Sequence, residues 1–182
     1  MIQEKIAQGD LLYHAVHGLC RVDEIGRQKE SGKEVLSYSL VPKVANRMKV
    51  RFVIADTDLK ASGFHALVSL KEANEILAYI EAGDIEAIPS AVGARAAASS
   101  RPENQAWELA REVMTFSREH VEVKDQRKRQ VLERSVSGLV RELAFVFKAT
   151  LKETAGKVRR SLGETPKINP SVLAALVHVG ED

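Results

Sequence analysis

The spacing of apolar and polar positions changes character along the chain. From Gly9 to Ile54 short β-prone runs are separated by turn residues, with strands predicted at Leu11 to Tyr13, Leu19 to Ile25, Val35 to Val41 and Lys49 to Ile54. Val35-Leu36-Ser37-Tyr38-Ser39-Leu40 carries β-branched and aromatic residues at strand-like spacing. Gly9-Asp10 and His17-Gly18 supply turns on either side of the first run, and the polar stretch Arg27 to Lys33 reads as a hairpin tip. Four short strands cannot form a wide sandwich. They predict a small, strongly bent, barrel-like β-module.

From Ser69 onward the period is helical. Ser69-Leu70-Lys71-Glu72 is a capping box, in which the serine oxygen accepts from the amide of Glu72 and the glutamate reaches back. Ala73, Ile76, Leu77 and Ile80 follow at helical spacing, predicting a helix from Ser69 to Ala82 with Gly83 as its stop. Pro89 to Pro102 is rich in Ala, Ser and Gly and reads as a flexible linker, with an alanine-rich helix as the alternative. Beyond it, Trp107, Leu109, Ala110, Val113, Met114 and Phe116 mark one helix opening at Pro102-Glu103. Asp125 is a good N-cap for the next, whose apolar stripe runs from Val131 to about Leu162, with Gly138 or Gly156 as the expected bend. Asn169-Pro170 opens a last helix through Val177. The expected organisation is a β-module over 1–83, a linker over 84–101 and an all-α helical domain over 102–182, an α+β chain.

Composition narrows the class of protein. Of 182 residues, 45% are hydrophobic and 29% charged, an ordinary globular balance rather than a disordered one. Cys20 is the sole cysteine, so no intrachain disulfide is available, in keeping with a reducing cytoplasm. No apolar run is long enough to span a bilayer, and Met1 to Lys5 does not resemble a signal peptide, so a cytoplasmic location is expected. The net charge of +2 conceals an asymmetry: between Lys124 and Arg160 eleven Lys or Arg stand against four acids, an excess of seven. A neutral first half and a basic late segment suggest different partners.

The opening Gly9-Asp10-Leu11-Leu12-Tyr13-His14, followed by the His17-Gly18 turn, resembles the N-terminal module of the CarD family of bacterial transcription regulators. That module is shared with the polymerase-interacting module of the transcription-repair coupling factor. Further likenesses are Lys49 to Ile54, Ser62-Gly63-Phe64, Val68-Ser69-Leu70-Lys71-Glu72, Val131-Leu132 and Leu139-Val140-Arg141-Glu142-Leu143-Ala144. The resemblance implies a Tudor-like fold for the β-module and docking on the RNA polymerase β subunit. It further implies that the helical domain lies against promoter DNA and stabilises the open complex, with an aromatic wedge and basic side chains at the minor groove. The chain departs from the family in three places. His14 stands where the family has proline, Phe116 falls near the position of the family's tryptophan wedge, and Ala94-Arg95-Ala96-Ala97-Ala98 replaces a Trp and Arg-Arg-Tyr cluster. An adaptor that binds polymerase or another protein and has lost DNA contact is the alternative function.

The candidate polymerase-binding residues are Arg21, Arg47, Lys49 and Arg51, since a planar guanidinium makes paired bonds to carboxylates. The bland reading of Arg47 and Lys49 is that they keep an edge strand soluble. Phe116, Arg118, Lys124, Arg127, Lys128, Arg129 and Arg134 are the candidate DNA-binding residues. For Phe116 the competing role is a core residue beside Val113, and for Trp107 a core or interface anchor. His14, His17 and Cys20 are spaced at threes, but on a strand-turn-strand they do not converge simply and no fourth ligand is evident, so no metal is expected. No phosphate loop, nucleophile elbow, paired-cysteine pattern or His-Glu-x-x-His motif is present. The sequence therefore favours a binding protein without a cofactor over an enzyme.

Overall fold

The computed structural model describes residues 6–14, 16–30, 33–43, 50–59, 61–83, 105–119, 123–163 and 168–181. The architecture is mixed α+β, and the described residues form a curled antiparallel sheet of five strands and five α-helices. By compactness the chain forms two units. Met1–Leu67 with Ala91–Gln105 is one, and Val68–Ser90 with Ala106–Asp182 is the other. The helix that follows Ser69 thus groups with the later helices rather than with the β-module.

In the first unit the strands are β1 (Leu11–His14), β2 (Gly18–Glu30), β3 (Lys33–Pro42), β4 (Phe52–Ala55) and β5 (His65–Ala66), in the order β4-β3-β2-β1-β5. His14 pairs with Gly18 across a three-residue connection, and Gly18 has φ 68, a left-handed conformation that glycine adopts without a Cβ penalty. The long hairpin β2–β3 keeps its register out to Glu30↔Lys33. Arg27 to Lys33 is therefore mostly strand rather than a hairpin tip. Polarity does not prevent pairing where both faces meet water. The two-residue strand β5 adds a pairing absent from the sequence reading, Leu12↔Ala66 and Tyr13↔His65. A register shift between Val22 and Glu24 inserts a bulge at Asp23, which bends β2 and sharpens its twist. Inside the curl lie Ile6, Leu12, Cys20, Val22, Tyr38, Leu40, Leu59 and Phe64.

The second unit contains α1 (Leu70–Ala82), α2 (Gln105–Arg118, of which Gln105 belongs to the first unit), α3 (Gln126–Phe147), α4 (Leu151–Ser161) and α5 (Pro170–Glu181). The Ser69 capping box forms, with Glu72 N donating to Ser69 Oγ at 3.2 Å and Ser69 N to Glu72 Oε2 at 2.8 Å. Gly83 ends α1 with φ 70. On α3, Leu132, Val136, Leu139, Val140 and Leu143 are buried at helical spacing, and Glu142 among them accepts from the Val68 amide at 3.3 Å. The chain bends at neither Gly138 nor Gly156, both of which lie within helices. It turns at Lys148 instead. There Ala149 N donates to Ala144 O at 3.0 Å, and the Thr150–Glu153 capping box starts α4. Asn169 caps α5 as expected, its Oδ1 accepting from Ser171 N at 2.8 Å, and the helix runs past Val177 to Glu181.

Candidate functional site

Two surfaces carry the predicted residues, one in each unit. In the β-module the bulge at Asp23 determines the local electrostatics. Its carboxylate accepts from Arg51 Nη2 at 2.8 Å and Arg21 Nη2 at 3.3 Å, while Arg51 Nη1 lies 3.7 Å from Glu24 Oε2. The structure therefore brings Arg21 and Arg51 together on one carboxylate. Sequence reasoning missed that acid, although the Asp23-Glu24 pair was a visible signal. Both arginines remain about half exposed, with side-chain exposures of 59% and 49%. Two cations facing two acids make a mixed-charge patch with no large net field. Arg47 and Lys49 lie outside the described residues.

Arg51 leads directly into β4, an edge strand hydrogen-bonded to β3 through Leu40↔Phe52, Ser39↔Val53, Tyr38↔Ile54 and Ser37↔Ala55. Strand parity turns Phe52 and Ile54 toward the core and leaves Val53 between them 61% exposed. An edge with an exposed β-branched residue and a flanking guanidinium offers main-chain groups to a further strand.

Beside this edge His14 and His17 do meet, their rings stacked with centroids 4.5 Å apart. His14 Nδ1 accepts from the amides of Val16 (3.0 Å) and His17 (3.3 Å), so that ring builds the turn. His17 packs on Phe52 at 4.4 Å and His14 on Phe64 at 4.8 Å. Cys20 is buried in the core, where desolvation raises the pKa of its thiol. Among the described residues no three His, Cys, Asp or Glu side chains are grouped as a metal would require.

The helical unit presents its cations differently. Residues 124–131 are all exposed, and burial on α3 begins only at Leu132. Lys124, Arg127, Lys128 and Arg129 thus surround the start of α3 in solvent, with Arg134 exposed farther along. Asp125 Oδ1 accepts from Lys128 N at 2.9 Å as the N-cap, and Arg129 Nε reaches Glu133 at 3.1 Å. The first turn of α3 holds no acid, so its cations add to the positive end of the helix dipole. That arrangement is unfavourable for the helix alone and favourable for an approaching anion.

Phe116 is half-buried at the margin of α2's buried stripe, and Arg118 is exposed in its last turn with its guanidinium beside Gly83. Trp107 is buried and meets Tyr79 edge-on at 5.7 Å, so it is a core anchor. No protein-family model matches the chain. Comparison with curated proteins gives no match either.

Proposed function

We propose that the chain is a CarD-like transcription regulator. Its β-module, taken as Tudor-like, binds the RNA polymerase β subunit, and its helical unit contacts promoter DNA and favours the open complex. The observation that carries the polymerase half is β4, an edge strand among the described residues, flanked by Arg51 and bearing exposed Val53, on the curled sheet where the resemblance implies docking. A partner strand added there gains main-chain hydrogen bonds, while Arg21 and Arg51 exchange Asp23 for carboxylates of the partner. The exposed basic start of α3 supports phosphate contact. Preferential binding to the open complex shifts the promoter equilibrium by the difference in affinity for the two states.

The test is saturable binding of the full chain to a purified polymerase β-subunit lobe. Arg51→Glu and Val53→Glu are expected to weaken it by about tenfold or more, the size typical of an interface anchor. Unchanged binding by both folded variants refutes the edge-docking assignment. Absence of binding by the parent chain refutes the polymerase reading itself.

A further inference from the structure

A second cationic surface lies on α4 and includes none of the residues assigned above. Lys148, Lys152, Lys157 and Arg160 converge on an open groove of about 380 Å³. Ala149, Glu153 and Gly156 complete its lining. Positions 152, 153, 156, 157 and 160 recur at threes and fours, so they share one face of α4, and Lys148 and Ala149 join them from the corner. We propose that this groove is a contact for the phosphate backbone of double-stranded DNA, additional to the basic start of α3. It rests on the reading of the helical unit as the DNA-facing part.

Three observations support the assignment. Glu153, the one acid on the groove, is engaged by its helix: its Oε2 accepts from the Thr150 amide and hydroxyl, both at 2.9 Å. The four cations make no ion pair among the described residues, and Lys157 Nζ is poised 4.5 Å above the Phe147 ring. Gly156 keeps the floor open. A Cβ there meets nothing nearer than Arg160 Nη1 at 3.7 Å.

Lys148 is the most informative of the four. It has φ 52 and ψ 40, and is the only non-glycine among the described residues with positive φ. Glycine is the least strained residue at such a helix end. The corner's hydrogen bond from Ala149 N to Ala144 O is made by backbone alone, so a lysine side chain is not needed to close it. A cation at the end of α3 also complements that helix's dipole.

The shape selects the partner. From Lys152 to Arg160 the face extends about 12 Å along the helix, which matches two or three successive phosphates of one duplex strand. A convex duplex backbone enters a concave groove, whereas a flat bilayer meets only its rims. Membrane docking also calls for bulky apolar groups, and the groove offers only Ala149.

The experiment uses the full chain and a short fluorescent duplex, followed by anisotropy at stepped salt, with circular dichroism to verify folding. Lys152→Gln/Lys157→Gln/Arg160→Gln is expected to weaken binding by about tenfold or more and to make the salt dependence shallower by roughly 0.9 per lost contact. Lys148→Gly is expected to raise the melting temperature yet weaken binding by about two- to threefold, while Lys148→Gln weakens binding without the thermal gain. A purely structural lysine leaves binding unmoved in both, and that result removes Lys148 from the site. If the α4 triple variant binds as the parent does while Arg127→Gln/Lys128→Gln/Arg134→Gln loses affinity, the α4 contact is wrong and the α3 reading stands. If the parent chain binds no duplex at low salt, both DNA contacts fail, and polymerase binding is judged separately by the lobe assay. Equal or tighter binding to phosphatidylserine vesicles or to polyglutamate, lost in the α4 variant, overturns the choice of DNA.

Discussion

The two units handle their acids in opposite ways, and this decides what their cations can do. In the β-module Asp23 and Glu24 face Arg21 and Arg51 directly, and the patch is nearly neutral. In the helical unit Asp125 and Glu153 are turned to backbone amides at the starts of α3 and α4, where the helix dipoles oppose their charge. Among the described residues Lys124, Arg127, Lys128 and Arg134, and likewise Lys148, Lys152, Lys157 and Arg160, make no ion pair, while Arg129 reaches Glu133. The same residue types therefore produce a mixed surface suited to a protein partner and an uncompensated one suited to a polyanion. Formal net charge of +2 conveys none of this.

The largest expected contrast is in salt dependence. Between about 50 and 200 mM salt, duplex affinity should fall by about a thousandfold, the loss expected for six phosphate contacts. Binding to the polymerase lobe, which exchanges one set of ion pairs for another, should fall only a few-fold over the same range, roughly the weight of screened surface pairs. Parallel titrations of the full chain check this. Equal slopes for the two ligands break the comparison.

A second contrast lies at opposite ends of the pH scale. Burial first, then its 2.8 Å hydrogen bond to Asp56 and the charge of that carboxylate, push the Tyr38 hydroxyl up to about 12. The unfolded chain releases this proton near pH 10 while the folded β-module keeps it, so stability present below pH 10 is lost as pH rises towards 12. The loss is of the order of 2 kcal/mol. Tyr38→Phe should flatten that slope and cost about 1–2 kcal/mol at neutral pH, read from amide NMR of β2 and β3. Glu153 moves the other way. The Thr150 amide, then its hydroxyl, hold the exposed carboxylate below its usual range, and Lys157 adds to this. Its contribution to the α4 cap is therefore present at neutral pH and lost as pH falls through the carboxylate range. Glu153→Gln should remove that acid-side dependence.

How much of this was legible in the sequence depended on whether the deciding interaction was local. Ser69-x-x-Glu72 was read as a capping box, and the structure forms it. Thr150-x-x-Glu153 has the same pattern and forms the same bonds, yet it was hidden inside an apolar stripe that continues from Phe147 to Leu151 without a gap. The two glycines in that stripe drew the expected bend, whereas the turn is made by a left-handed lysine, a conformation no residue type announces. Strand β5 is two residues long and is defined only by its distant pairing with β1. The basic start of α3 was readable as a charge run. The α4 groove was not, because it needs the corner at Lys148 to bring a fourth cation onto the face.

Asp125 sharpens the comparison with a smaller effect, since it serves both as cap and as the acid nearest the basic turn. Asp125→Asn keeps an acceptor for the Lys128 amide and removes the charge. Duplex affinity should rise about two- to threefold, with the melting temperature unchanged because Asn and Asp cap almost equally. Asp125→Ala should raise affinity less and cost about 1 kcal/mol, since it also frays the start of α3. A stability loss in the Asn variant would show that the carboxylate is needed for its charge.

The smallest effect on stability is expected at Arg51, despite two ion pairs at 2.8 and 3.7 Å. Its side chain is half exposed, so water and salt screen both contacts and the ordering of a long side chain offsets much of what remains. Arg51→Ala should therefore cost less than about 1 kcal/mol in chemical denaturation. The same substitution should still weaken lobe binding measurably, because a partner carboxylate becomes desolvated on docking and then needs its cation. A large stability loss with unchanged lobe affinity would reverse the assignment, making the Asp23 cluster a structural clasp for the bulge. The small loss, paired with weakened binding, marks it as a surface held ready for exchange.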